Sequence, residues 1–267
     1  MRKVIVITGS TRGIGFGLAQ EFLRRDCAVV ISGRSPTSVD QAYARLQTQL
    51  PGPLPRVQLL GQPCDVLMPA QIEALWAAAV DAFGQVDIWI NNAGVSNRTA
   101  STWELRPEEI SAVIDTNLLG VAYGSRTALR GMLAQGFGAL YNMEGLGSDG
   151  RRVDGLNLYG STKYAVRYFT EGLIEETRAT PVLVGALSPG MVATEMLTGE
   201  AARQRPDWDR RKAVLNILTD KIETVTPWLV EQMLANQQHG ARLVWLTRGK
   251  ILKRFLSAPF HRRQVIE

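Results

Sequence analysis

The chain has 267 residues, of which 45% are hydrophobic and 21% are charged, and these values are typical of one soluble α/β domain with a large core. No apolar run is long enough to span a membrane, and a strand-like segment begins almost at once. We therefore expect neither a transmembrane helix nor a signal peptide, and a cytoplasmic location. Cys27 and Cys64 lie in apolar surroundings, which predicts buried thiols in a reducing compartment, and the two histidines are too few to predict a metal site.

The net charge of +5 is concentrated at the carboxyl end. Six of the 30 basic side chains and one of the 25 acidic ones follow residue 247, and the charges before that point balance. We therefore separate a main domain, residues 1–247, from a basic tail, residues 248–267, and we expect no nucleic-acid partner. The tail also carries the apolar residues Ile251, Leu252, Phe255, Leu256 and Phe260. Such a segment can rest on an anionic membrane surface, or it can form a helix that packs on the domain or on a neighbouring subunit.

The chain opens with a predicted strand, a glycine-rich turn and a helix. Residues 4–7 are an apolar, β-branched run, residues 8–15 read TGSTRGIG, and residues 16–25 follow a helical pattern. A strand that enters a helix through glycines leaves free backbone N–H groups and the positive end of the helix dipole at one point. That point suits a pyrophosphate, although an ordinary strand-turn-helix with incidental glycines is the alternative.

The second predicted strand, residues 28–32, indicates which dinucleotide would bind. In dinucleotide-binding folds the end of this strand lies beside the adenosine ribose, where an acid would accept from the 2′-hydroxyl and a cation would bind a 2′-phosphate. This strand is followed by Gly33, Arg34 and Ser35, with no acid, and Arg12 lies in the preceding glycine turn. The pattern therefore favours NADP(H) over NAD(H).

Helices are predicted at residues 37–50 and 69–83, and strands at 56–60 and 86–90. The last of these strands ends in Asn91-Asn92-Ala93-Gly94, where small residues let the backbone approach a ligand and the amides can pin the sheet. A turn that is merely rich in Asn and Gly is the alternative. Residues 108–135 read as one or two long helices, with Asn117 at an awkward interior position that could mark a bend.

Tyr159 and Lys163 follow the fifth predicted strand, residues 139–143, and open a helix that runs to about residue 177. Four residues make one helical turn, so the phenol and the ammonium lie on the same face. A neighbouring cation lowers the pKa of a phenol, which makes it a better proton donor. Isolated pairs with this spacing also arise by chance.

The remaining elements are a strand at residues 181–187, a turn reading SPGMVAT at 188–194, a helix at 227–238 and a last strand at 241–246. Residues 195–225 combine large apolar residues with many charges.

Three motifs resemble, in their order along the chain, those of the short-chain dehydrogenase/reductase family: TGSTRGIG, NNAG and YGSTK. The resemblance covers the chain to about residue 246. It implies a Rossmann-type, doubly wound parallel sheet of about seven strands with helices on both faces, in an NADP-binding domain whose lid is residues 195–225. It also implies hydride transfer from NADP(H), with Tyr159 as proton donor, Lys163 holding the nicotinamide ribose and lowering the phenol pKa, and Asn117 ordering a relay water.

The resemblance further implies a set of cofactor contacts drawn from the glycine turn, the strand ends, the catalytic pair and the SPGMVAT turn. These residues are Gly9, Thr11, Arg12, Gly13, Ile14, Gly15, Arg34, Asp65, Val66, Asn92, Ala93, Gly94, Tyr159, Lys163, Pro189, Gly190, Val192 and Thr194.

The sequence departs from the family at its substrate-orienting serine, which usually lies about a dozen residues before the tyrosine. Glu144 and Gly145 stand where serines are expected, and Ser148 is the nearby hydroxyl before the tyrosine motif. We assign the role of the serine to Ser148. The alternatives are a carbonyl contact from backbone N–H groups, or no such contact.

Several stretches in the second half of the chain resemble the chlorophyll b reductases and their relatives, among them NMEGLGSDG, LSPGMVATEM and VWLTRGKILKRFL. The resemblance implies NADPH-dependent reduction of the C7 formyl group of chlorophyll b or a related tetrapyrrole, in a homodimer or homotetramer. Two alternatives stay open. One is a reductase or dehydrogenase of another apolar alcohol or ketone, such as a retinoid, steroid or acyl chain, and the other is a catalytically weak NADP-binding scaffold.

Overall fold

In a computed structural model of the protein, residues 2–49, 58–198, 208–260 and 263–266 are described. Within them, seven parallel strands form one sheet in the order β3-β2-β1-β4-β5-β6-β7. The strands are β1 Val4–Ile7, β2 Ala28–Gly33, β3 Leu59–Pro63, β4 Ile88–Asn91, β5 Gly138–Met143, β6 Val182–Ser188 and β7 Arg242–Val244. The predicted doubly wound parallel sheet is therefore confirmed.

Helices connect the strands. They are α1 Gly13–Arg24, α2 Pro36–Gln49, α3 Pro69–Phe83, α4 Pro107–Ile114, α5 Gly120–Gln135, α6 Asn157–Glu176, α7 Glu195–Thr198, α8 Trp208–Leu218, α9 Ile222–Ala235 and α10 Arg248–Ser257. A 3₁₀ turn spans Thr102–Glu104, and a π-helical turn, Asp115–Leu119, joins α4 to α5. Helices α3 and α5 end at Gly84 and Gly136, which adopt the left-handed conformation that favours glycine at this position.

The sheet is buried on both faces, as the β-branched composition of its central strands requires. Successive side chains of a strand point to opposite faces. Ile5 and Ile7 of β1 accordingly pack in the layer that contains α1 and α9, and Val6 packs in the layer that contains α3 and α5. The central strands β1, β2 and β4 are buried along their whole length.

The site lies where the strand order reverses, between β1 and β4. These neighbours run parallel in register, with Ile7 opposite Ile90, so their carboxyl ends reach the same edge of the sheet. The connections that follow them diverge in opposite directions, which leaves a crevice at that edge. The glycine turn after β1 and the NNAG segment after β4 therefore meet there.

Several predicted boundaries differ from the structure. Strand β3 runs Leu59–Pro63 rather than over residues 56–60, of which 56 and 57 lie outside the described residues. Because β3 is an edge strand, Pro63 can close it without losing a ladder hydrogen bond. Helix α9 begins at Ile222 and contains Pro227, whereas the sequence predicts a helix that starts at Pro227. The last strand is shorter than predicted, and residues 199–207 of the expected lid lie outside the described residues.

Both cysteines are buried as predicted, and burial raises the pKa of Cys27 to about 11 and that of Cys64 to about 12. Within the described ranges, no helix combines the length and apolar character that crossing a bilayer requires.

Candidate active site

The glycine turn is fixed by the NNAG segment. The side-chain amide of Asn92 donates to the carbonyl oxygens of Thr8 and Gly9, each at 2.9 Å, and the Thr8 hydroxyl accepts from the backbone N–H groups of Asn92 and Ala93. Gly9 has φ +61°, and a side chain there would stand 2.7 Å from the Cα of Ala93. The turn therefore needs glycine for both its conformation and its close approach to β4.

The amino terminus of α1 is suited to an anion. No side chain caps this helix, so its first N–H groups lack side-chain acceptors. Gly13, at φ +61°, has open space beside it, and the nearest atom to a side chain placed there would be the Thr194 methyl, 3.7 Å away. Thr11 packs on Gly33, and Ile14 packs on the first core layer. The uncapped terminus of α1 and the glycine turn thus fit an anion such as a pyrophosphate.

The two arginines predicted to bind a 2′-phosphate differ in their surroundings. Arg34 is exposed at the end of β2 and makes no hydrogen bond or ion pair within the part of the chain that is described. Arg12 forms an exposed ion pair with Glu195 of α7, with 2.5 Å between Nη1 and Oε2. Arg34 is therefore the open cation at this end of the crevice.

Four other predicted cofactor contacts make contacts within the chain. Asp65 accepts a hydrogen bond from the N–H of Leu67 at 3.0 Å, which shapes its own loop, and Val66 packs against Gly120. In the SPGMVAT turn, Gly190 has φ +72° and packs against Leu246. Val192 is buried and pairs with Asp220 in an isolated β-bridge.

Asn117 lies in the π-helical turn and is fully buried. Its side-chain oxygen accepts from the N–H of Val95 and its amide donates to the carbonyl of Val95, both at 2.8 Å, and to Thr162 Oγ1 at 3.0 Å. The irregularity at Asn117 thus takes the form of a π-helical turn.

Lys163 approaches Asn117 across Gly94. A side chain at Gly94 would lie 3.2 Å from Asn117 Oδ1 and 3.6 Å from Lys163 Nζ, so both groups border the space beside this glycine. Lys163 Nζ donates to the Met143 carbonyl at 3.0 Å. The structure thus brings three of the predicted residues together around Gly94, without a direct hydrogen bond between Asn117 and Lys163.

Tyr159 and Lys163 lie on the same face of α6, with Lys163 Nζ 5.9 Å from the centre of the phenol ring. Burial raises the pKa of Tyr159 to about 12, so the phenol keeps its proton at neutral pH. Burial lowers the pKa of Lys163 to about 8, and the nearby Glu144 carboxylate opposes this by favouring the ammonium. The expected lowering of the phenol pKa by Lys163 is therefore not seen in the chain alone, because burial raises this pKa.

Ser148 is buried, and its hydroxyl donates to Glu144 Oε2 at 3.2 Å. Glu144 also accepts from Arg242 of β7, whose Nε lies 3.0 Å from both carboxylate oxygens and whose Nη2 lies 2.6 Å from Oε2. In the sequence, Glu144 stands out only as a departure from the family pattern. Its position directly after a buried strand indicates more, because a buried acid requires a charged or hydrogen-bonding partner.

An open cleft of about 710 Å³ lies beside this loop. Asp149, Gly150 and Arg151 form one wall, and the first turns of α10 form the other with Arg248, Ile251, Leu252 and Phe255.

The tail packs on the domain through its inner arginines. The carboxylate of Asp220, in the segment between α8 and α9, accepts from Arg254, Arg263 and the Trp245 indole at 2.6–2.9 Å. The outer residues Leu252 and Phe260 are 62% and 83% exposed. The tail helix therefore combines an inner face bound to Asp220 with an exposed apolar face.

With this geometry established, comparison with known proteins identifies the family. A family model described as short chain dehydrogenase matches residues 3–205. The chain belongs to the short-chain dehydrogenase family. These enzymes are oxidoreductases that use a nicotinamide cofactor, which agrees with the crevice between β1 and β4.

Among similar proteins, this short-chain dehydrogenase is 35% identical over 266 residues to the probable chlorophyll(ide) b reductase NYC1 of Oryza sativa subsp. japonica, covering 95% of the chain and 52% of that protein. It is 35% identical over 242 residues to the chlorophyll(ide) b reductase NOL of Arabidopsis thaliana, covering 89% of the chain and 67% of that protein. A 3α-hydroxysteroid dehydrogenase of Mediterraneibacter gnavus is 33% identical over 195 residues, or 73% of the chain and 76% of that protein. The chain thus spans about half the length of its NYC1 relatives.

Solved structures of short-chain dehydrogenases share the fold. Levodione reductase superposes with a TM-score of 0.81 at 23% identity, covering 94% of this chain and 98% of that one. An actinorhodin polyketide ketoreductase solved with NADPH superposes with a TM-score of 0.80 at 26% identity, covering 91% and 95% of the two chains.

Proposed function

We propose that the protein is an NADPH-dependent reductase of a formyl or carbonyl group on a large apolar substrate, with the C7 formyl of chlorophyll b or a related tetrapyrrole as the first candidate. The observation that carries the reaction type is the partly buried phenol of Tyr159 beside the buried Lys163, next to the crevice between β1 and β4. The 35% identity to chlorophyll(ide) b reductases over most of the chain supports the substrate class.

Bound NADPH would supply a hydride to the carbonyl carbon. Tyr159 would then give its proton to the carbonyl oxygen as the general acid. The Lys163 ammonium would hold the nicotinamide ribose and ease loss of the phenol proton, and Asn117 would keep the Gly94 segment in place through its paired bonds to Val95. In the described conformation, Ser148 donates its proton to Glu144 rather than to a substrate.

NADPH consumption with a panel of substrates tests this function. We expect turnover with formyl tetrapyrroles and little with retinal or steroid ketones. The second candidate, a reductase or dehydrogenase of another apolar alcohol or ketone, is favoured by the similarity to the 3α-hydroxysteroid dehydrogenase, and preferential turnover of steroids would select it. Binding of NADPH without consumption by any member of the panel would instead indicate the scaffold.

Arg34 is the residue through which we expect NADPH to be preferred over NADH. Replacing Arg34 by serine removes the open cation at the end of β2, and the KM for NADPH should rise roughly 10- to 100-fold, as expected for loss of a charge-assisted hydrogen bond. Steady-state kinetics with both cofactors measures this. The KM for NADH should not change, and Arg178→Ser, at an exposed arginine just after α6, is the matched control. An equal rise for both cofactors would mean that Arg34 does not contact the 2′-phosphate.

The cleft between Asp149–Arg151 and α10 could hold the hydrocarbon chain of a phytylated substrate. Replacing Leu252 by glutamate places a charge in the apolar wall, so the KM for chlorophyll b should rise roughly tenfold, as expected for losing part of one buried side chain. Turnover of chlorophyllide b, which lacks this chain, should stay at the wild-type value. Phe137→Glu, at an exposed apolar residue outside both the cleft lining and the tail, is the control. An equal rise in KM for both pigments would mean that the hydrocarbon chain of the substrate does not bind in this cleft.

A peripheral membrane contact and a homodimer or homotetramer are also proposed. Two exposed apolar side chains of the tail support the membrane contact, Leu256 of α10 and Phe260 just beyond the end of that helix. Vesicle flotation of Phe260→Glu tests it. Truncation after Thr247 is a poor test because it would leave Asp220 buried without Arg254 and Arg263.

Self-association is supported by two exposed apolar side chains, Leu133 of α5 and Tyr168 of α6. Light scattering of Tyr168→Glu tests it.

A further inference from the structure

Glu144 is a buried acid next to the proposed reaction centre that the mechanism above does not use. It follows β5 directly, and its side chain is 1% exposed. Its backbone N–H donates to the Leu187 carbonyl of β6 at 2.8 Å, which fixes the end of the strand. A carboxylate in such a place is stable only when charged partners and hydrogen bonds satisfy it.

The charged and titratable groups around Glu144 come from three elements. Arg242 of β7 donates to both carboxylate oxygens, and Ser148 of the following loop donates to one. On α6, Lys163 and Arg167 both interact electrostatically with the carboxylate. The Lys163 ammonium donates to the carbonyl of Met143, the residue before Glu144, at 3.0 Å. Its aliphatic stem lies beside Gly145, the residue after Glu144, where a side chain would stand 3.2–3.3 Å from it.

The bond from Ser148 restricts what this hydroxyl can do. A serine hydroxyl has one proton and two acceptor lone pairs. With the proton directed at Glu144, the oxygen can accept a hydrogen bond but cannot donate one to a substrate carbonyl. Glu144 therefore sets the polarity of Ser148 as well as the charge beside Lys163.

We propose, on the basis of the proposed reductase function, that Glu144 is a positioning residue that keeps Lys163 in its ammonium form and holds Ser148 as a hydrogen-bond acceptor at the reaction centre. Its carboxylate is the negative charge that acts on Lys163 among the residues that the structure describes. Arg242 keeps that carboxylate in place. Glu144 thus acts through its neighbours and does not touch the reacting atoms.

The pH dependence of kcat for reduction tests this. Since the ammonium assists proton donation by Tyr159, the rate should fall as pH rises through the pKa of Lys163, which lies at about 8. Replacing Glu144 by glutamine keeps the shape and removes the charge, so this alkaline limb should move down by about one pH unit. Glu144→Asp keeps the charge and should restore the limb. A merely structural role would instead lower kcat by one factor at every pH, and that result would overturn the proposal.

A titration without substrate separates this proposal from the proposed function. The chain has six lysines, so the ¹⁵N signal of the Lys163 side chain can be assigned by its loss in Lys163→Arg. We expect its titration midpoint to fall in Glu144→Gln and to stay in Glu144→Asp. If the midpoint shifts but the protein turns over no carbonyl substrate, the reductase function is rejected and the electrostatic role of Glu144 is retained. An unchanged midpoint in an active enzyme would reject the role of Glu144.

Discussion

Replacing Tyr159 by phenylalanine should lower carbonyl reduction by about 10²–10⁴-fold, the usual contribution of a general acid, and leave NADPH binding within about twofold. The substitution removes one hydroxyl from a buried side chain whose proton is retained at neutral pH. It leaves the glycine turn, Thr194 and Arg34 unchanged. Single-turnover oxidation of NADPH measures the rate, and cofactor fluorescence measures the binding.

Tyr164→Phe is the matched control for this change. Tyr164 lies on the same helix one residue after Lys163, but it is more than half exposed, and its hydroxyl has no proposed role. The control should retain the wild-type rate. Turnover that persists in Tyr159→Phe would mean that another acid protonates the product.

Replacing Asp220 by asparagine should lower the free energy of unfolding by roughly 3–5 kcal/mol, as expected when one partner of a buried ion pair is removed. The change leaves Arg254 and Arg263 without their carboxylate, while their side chains are only 12% and 31% exposed. For a protein of this size the melting temperature should fall by about 10 °C. Thermal denaturation measures the effect. Glu73→Gln, which breaks an exposed pair with Arg126, should change stability by less than about 1 kcal/mol.

The effect should depend on pH with a defined sign. Burial raises the pKa of Asp220, but hydrogen bonds from Trp245, Arg254 and Arg263 outweigh it and hold this pKa below its usual value. A depressed carboxyl pKa contributes stability that is present above the unfolded pKa of about 4 and is lost as pH falls through the folded value. The difference between wild type and Asp220→Asn should therefore be largest at neutral pH and shrink below about pH 4. A constant difference across this range would contradict the ion-pair explanation.

The parts of the site that short segments encode could be predicted from the sequence. TGSTRGIG and NNAG each follow an apolar strand, and parallel strands place their ends at one edge, so the crevice followed from pattern alone. The helical spacing of Tyr159 and Lys163 likewise fixed their common face. Asn117 was recognised as an unusual helix residue, and the π-helical turn gives the physical form of that irregularity.

Contacts between distant segments could not be predicted in this way. Arg242 lies 98 residues after Glu144, and no local pattern links an acid after β5 to a cation in β7. The same holds for Asp220, which binds arginines 34 and 43 residues later and so draws the basic tail onto the domain. Residue composition predicts that the tail is basic and amphipathic. It does not show that Arg254 and Arg263 pack inward, which is seen only from their contacts with Asp220.

Gly145 leaves space for only a hydrogen atom in front of the Tyr159 phenol, because a methyl carbon there would stand 2.5 Å from the phenolic oxygen. A serine grafted at this position would collide with the very group it is meant to assist. The α6 backbone or the loop would have to retreat before such an exchange could be accommodated. Reinstating the common family arrangement in this enzyme would thus require remodelling the whole loop together, and stepwise substitution would pass through variants with a displaced phenol.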